Sequence, residues 1–92
     1  NARHSHQVWR KTVNGNEFIL WTAADCEGGH YSAVFNAGDT EGTVDIPLTD
    51  LELYSKVKAC ELWSGESFEA DGTFSVKIGS HGAKAFRMIS AQ

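Results

Sequence analysis

The sequence predicts an all-β domain, a sandwich or barrel of about eight short strands with at most one helical turn. Two observations predict it. Turn-forming residues recur at Asn14-Gly15, Gly28-Gly29, Ala37-Gly38-Asp39, Thr49-Asp50, Ser64-Gly65, Asp71-Gly72 and Gly79-Ser80-His81-Gly82. Between them the residues alternate apolar and polar, the period of a half-buried strand, and no segment sustains an apolar stripe at helical spacing.

Taken in order, residues 1–6 read as a polar lead-in and 7–92 as one β-sandwich domain. The first strand spans residues 7–13, and Asn14-Gly15 suits the two positive φ values of a type I′ hairpin turn. The second spans 17–25. If Cys26-Glu27-Gly28-Gly29 is a four-residue loop, Asp25 faces His30, Trp21 faces Val34 and Leu20 faces Phe35. That register assigns Phe18, Leu20, Thr22, Ala24, Tyr31, Ala33 and Phe35 to the core and Ile19, Trp21, Ala23 and Val34 to the opposite face. The stretch from His30 to Asn36 is apolar on both phases, so it reads as a central strand with two covered faces.

Further on, Val44, Ile46 and Leu48 alternate with Thr43, Asp45 and Pro47, and the proline marks an edge or a strand end. Residues 49–53 read as one helical turn capped by Thr49 or Asp50. A strand over 55–62 places Val57 and Ala59 inward, with a bulge expected across Cys60-Glu61-Leu62-Trp63. Short strands over 66–69 and 73–78 flank Asp71-Gly72, and the last strand, 83–89, sends Phe86 and Met88 into the core.

The totals exclude several functions. With 12 acidic and 8 basic residues the net charge is −4, and the basic residues are scattered, so nucleic acid is not an expected partner. No apolar run approaches the roughly 20 residues of a membrane helix, and no membrane partner is expected. Met88 is the only methionine, so the expectation is a piece of a longer polypeptide with a neighbour upstream.

Candidate chemistry is sparse. The carboxylates lie mostly at turns, whereas a hydrolase needs two of them across a cleft at a set separation, so no catalytic residue is expected. His81 reads as a turn residue that bonds locally, and no nucleophile elbow is present. His4 and His6 are too few for a stable metal site and no EF-hand spacing occurs, so no metal and no cofactor are expected. Cys26 and Cys60 read as a loop thiol and a buried strand thiol.

The aromatics say more. Trp9, Trp21 and Trp63 are three tryptophans in a small domain. With Tyr31 they offer flat faces for sugar stacking. The structural alternative is that Trp21 docks on a neighbouring domain beside Ile19 and Val34, Trp63 plugs the strand end, and Trp9 seals the junction with the preceding chain.

Several segments resemble, in order, the C-terminal β-domain of the α-galactosidase (melibiase) glycoside hydrolases. His30-Tyr31-Ser32-Ala33-Val34-Phe35-Asn36-Ala37-Gly38-Asp39 is similar to its "ALFN.GD" strand and turn, and Val8-Trp9 to its opening strand. Leu48-Thr49-Asp50-Leu51-Glu52-Leu53 is similar to its "L.DLGL" connector, Cys60-Glu61-Leu62-Trp63-Ser64-Gly65 to "DLWSG", and Ser80-His81-Gly82 to "PHG". Glu61 and Ser80 depart from that pattern. The resemblance implies an antiparallel Greek-key β-sandwich appended to a catalytic (β/α)8 barrel of the same polypeptide, with both catalytic aspartates in the barrel. It also implies a secreted or periplasmic parent that acts on polysaccharide. Three readings of this chain stand at this point: an accessory domain packed on a barrel, a carbohydrate-binding module for oligosaccharide, and a self-associating interaction module.

Overall fold

The computed structural model describes residues 5–24 and 29–91. These form β1 (Ser5–Val13), β2 (Asn16–Ala24), β3 (His30–Asn36), β4 (Gly42–Pro47), a 3-10 turn (Leu48–Leu51), β5 (Val57–Glu61), β6 (Ser67–Ala70), β7 (Thr73–Ile78) and β8 (Ala83–Ser90). Asn14 and Gly15 take φ values of 51° and 86°, both in the left-handed region that a type I′ turn requires, and so close the β1–β2 hairpin. All pairings are antiparallel. One sheet has six strands in the order β1-β2-β3-β8-β5-β6, and β4 and β7 form a second sheet that covers it. β5 and β6 pair, β7 crosses to the second layer, and β8 returns to lie beside β5, which is Greek-key routing.

The core lies between the layers. Leu20, Val34, Ile46, Leu48 and Met88 are almost wholly buried there, and β7 alternates Phe74, Val76 and Ile78 inward with Thr73, Ser75 and Lys77 outward. Phe68, Phe74 and Phe86 pack ring to ring at centroid distances of 5.6–5.8 Å.

The β2–β3 register differs from expectation by one residue. Ala24 pairs with His30, Trp21 with Ala33, Leu20 with Val34 and Ile19 with Phe35. The expected facing of Asp25 and His30 and the loop 26–29 fall partly outside the described residues. Because side chains alternate, this single step turns all of β3 over. Val34 is therefore a core residue, not a second-face one, and Tyr31, Ala33 and Phe35 belong to the outer face, not the core.

Asn36 accounts for the observed register. Its buried carboxamide donates from Nδ2 to Thr40 O at 2.9 Å and to Ile78 O, across the sandwich, at 3.0 Å, while Oδ1 accepts from Gly38 N at 2.8 Å. A slip by one residue would aim these groups at the outer face and leave the buried carbonyls unpaired. The turn that follows is equally tight. A Cβ on Gly38 would lie 2.0 Å from Asn16 Oδ1, the atom that accepts from Thr40 Oγ1. Gly38 O receives both His81 N and Ser80 Oγ at 3.2 Å, and His81 Nε2–H donates to Asp39 Oδ1 at 2.9 Å. Thus the turns at 36–39 and 79–82, far apart in sequence, form one junction.

Two local expectations also change. The helical turn spans Leu48–Leu51 and follows extended Pro47 without a side-chain cap, and left-handed Glu52, φ 61°, ends it. Asp50 instead accepts from Trp9 Nε1 at 2.9 Å. The bulge lies in β1, where the pairing shifts between Gln7 and Trp9, so that both Val8 and Trp9 pack against the core. At 60–63 the chain makes a turn rather than a bulge.

At the far end of the inner face His30 hydrogen-bonds Thr22 Oγ1, whose hydroxyl donates to Tyr31 O. Burial lowers the His30 pKa below its ordinary 6.5; Glu52 opposes this and His6 adds to it.

Asn36→Ala is expected to destabilise the chain by about 2–4 kcal/mol, because several buried partners lose their bonds at once. Urea unfolding checks this. For His30 the unfolded chain binds the extra proton first, so wild-type stability falls as pH drops below 6.5, and His30→Gln flattens that limb in urea titrations across pH.

Candidate functional site

The outer face of the six-stranded sheet is built by strand alternation. Cross-strand pairing aligns Gln7, Trp21, Ala33 and Ala85 in one row. A second row holds Arg10, Ile19, Phe35 and Ala83, and a third Ala23, Tyr31, Arg87 and Cys60. The first row is uncharged and the second is apolar from β2 to β8; Arg10 pairs with Glu17 at 3.3 Å toward the β1 edge, and Arg87 stands within the third row, 5.9 Å from the Tyr31 ring centroid. Among the described residues no layer covers the face. Trp21 is 37% exposed, Phe35 40%, Leu62 46% and Ile89 42%, unusual values for large apolar side chains that share one surface.

A groove of about 210 Å³ runs along it, walled by Trp21, Tyr31, Ala33, Ala85 and Leu62. Leu62 also borders a second depression of about 340 Å³ beside Cys60, Arg87 and Ile89. Cys60 is a free, half-buried thiol on this face; Cys26 lies outside the described residues.

Leu62 is held in place by the turn after β5. Glu61 carries it: its backbone closes on Glu66 and Gly65, and its carboxylate accepts from Ser64 N at 2.9 Å and Trp63 N at 3.2 Å. Burial pushes the Glu61 carboxyl up, but the Ser64, Trp63 and Ala85 donors together outweigh it and hold the group below its ordinary 4.5.

The sequence-predicted residues divide between surfaces. Trp21, Ile19 and Tyr31 share the outer face, whereas Val34 is buried behind it. Trp9 pairs with Leu20 on the inner side, stacks under Lys11 Nζ at 4.2 Å and bonds the connector through Asp50. Trp63 is 68% exposed on its turn, so it does not plug the strand end. Trp9 and Trp21 therefore point to opposite sides of the sheet and form no common platform. Sequence reading missed Phe35, Leu62 and Ile89; only Ile89 was legible, as the neighbour of inward Met88 in an alternating strand. Among the described residues no cluster of His, Cys, Asp and Glu is placed to hold a metal ion.

The family described as alpha galactosidase C-terminal beta sandwich domain matches residues 3–88. Comparison with curated proteins yields no match. Among solved structures, a GH27 β-L-arabinopyranosidase from Geobacillus stearothermophilus is 27% identical with a TM-score of 0.86, over 96% of this chain and 20% of that one. Alpha-galactosidase I from Mortierella vinacea is 15% identical with a TM-score of 0.78, over 96% and 24%. The alpha-galactosidase from Saccharomyces cerevisiae with raffinose is 14% identical with a TM-score of 0.75, over 91% and 32%. The last two likenesses concern fold. This chain spans about a fifth to a third of the length of these enzymes.

Since Glu61 holds its proton less tightly when folded, its contribution is present above pH 4.5 and is lost as pH falls through the folded value. Glu61→Gln is expected to lower the melting temperature at neutral pH, and thermal scans should show the gap to wild type closing below pH 4.5.

Proposed function

Since the chain belongs to the family of alpha galactosidase C-terminal beta sandwich domains, we propose that it is the non-catalytic accessory sandwich of a glycoside hydrolase. It packs its outer sheet face on a catalytic (β/α)8 barrel of the same polypeptide. The observation that carries this reading is the uncovered apolar surface running from Ile19 and Phe35 through Trp21 to Leu62. Exposed apolar patches of this kind mark interaction surfaces, because covering them removes apolar area from water. Two further facts support the assignment. Ser5, at the start of β1, pairs with Ala23 and lines the groove, so the first strand begins beside this face. The similar enzymes extend far beyond the portion this chain matches.

In this reading the domain takes no part in bond cleavage. Asp39 is engaged with His81 and Asp45 with Ser75, and Glu61 holds a turn. Substrate chemistry belongs to the barrel, and a polysaccharide substrate places the enzyme in the secreted or periplasmic compartment.

Replacing both Trp21 and Phe35 by Ser tests the docking. In the full-length polypeptide the two changes are expected to remove about 1.5–3 kcal/mol of buried-surface stabilisation each, seen as a lower melting temperature and yield. The 92-residue chain alone should melt within a few degrees of wild type, because both side chains are already part exposed there. Equal losses in both would overturn the reading.

A further inference from the structure

The inner face of the large sheet is also incompletely covered. Two strands lie over six, so the second layer stops at the free edge of β7. There a cleft of about 380 Å³ opens between the layers, bordered by β5, β6, β7 and β8. Its apolar wall is the Phe68-Phe74-Phe86 cluster, of which Phe74 and Phe86 are buried and Phe68 is the partly exposed member.

Polar groups converge on the same space. Lys84 pairs with buried Val34, so it stands on a core-facing row, half-buried, yet it makes no hydrogen bond or ion pair among the described residues. Glu66 borders the cleft with a side chain similarly uncommitted among those residues, Glu61 contributes a carboxylate already engaged by its turn, and Lys77, which leaves β7 on the outward side, borders the rim. Around the cleft the carboxylates and ammonium groups balance in formal charge. A phosphate or sulfate would meet Glu61 and Glu66, and a cation would meet Lys84. The complementary molecule is neutral, carries hydroxyls that both donate and accept, and has one apolar face. A pyranose ring satisfies all three, and the volume falls in the range of small-molecule sites.

We propose that the cleft between the sheets binds a neutral pyranoside of mono- or disaccharide size, with Phe68 as the apolar platform, Lys84 as donor and Glu66 as acceptor. The site lies on the side of the large sheet opposite the docking face. Failure to bind sugar therefore leaves the docking reading intact, and failure to dock leaves this one intact.

The test is an amide-resolved NMR titration of the 92-residue chain with methyl α-D-galactopyranoside, L-arabinose and raffinose, with inorganic phosphate as the charged control. Saturable shifts centred on Glu66, Phe68, Val76 and Lys84 are expected for at least one sugar, with a Kd on the order of millimolar. Lys84→Met should weaken that binding about tenfold while leaving the rest of the spectrum in place. Glu66→Gln supplies a second variant on an exposed side chain should Lys84→Met perturb the fold. The proposal is overturned if no sugar saturates, if shifts centre on Trp21 or Trp63, if phosphate saturates the same amides, or if both variants bind as wild type does.

Discussion

The side on which β3 faces the core decides nearly everything else about this molecule, and the Asn36 carboxamide is what holds it there. A strand with apolar residues on both phases is poorly specified by hydrophobicity, since either face satisfies burial about as well. Asn36 removes the ambiguity because its amide finds Thr40 O, Ile78 O and Gly38 N only from the inner side. With Asn36 inward, Val34 completes the core beside Leu20, and Tyr31, Ala33 and Phe35 join Trp21 outside. A buried polar group thus specifies the register, while hydrophobic burial supplies the stabilisation.

The unequal layers follow from the routing. Among the described residues only β4 and β7 form the second sheet, so they cover the middle of the large sheet and leave its outer surface and one inner margin open. The two openings differ chemically. The outer face is mostly apolar with few charges, which suits a protein surface. The inner margin mixes a phenylalanine wall with balanced charges, which suits a small polar molecule.

Family membership and physical reading converge on an accessory role, from different starting points. Several acidic side chains are spent on turns and local bonds: Glu61 fixes the segment carrying Leu62, Asp50 anchors Trp9 and Asp39 clasps His81. The motif segments around Asn36-Gly38-Asp39 and Ser80-His81-Gly82 are one structural junction, so their residue types reflect turn geometry rather than chemistry.

By itself the sequence determined the all-β class, the strands and their turns, the Asn14-Gly15 hairpin and the inward faces of β2, β7 and β8. All of these are set by local alternation and by the φ demands of single residues. The tertiary structure alone decided which way β3 faces, that Trp9 and Trp21 part company across the sheet, and that 61–66 is a carboxylate-held turn. Those features depend on pairing between distant strands, and a loop one residue longer than assumed inverts a face without altering the composition of either strand. Asn36 held the only sequence-level hint, a polar residue ending an apolar strand, and its meaning became clear only once Ile78 lay opposite it.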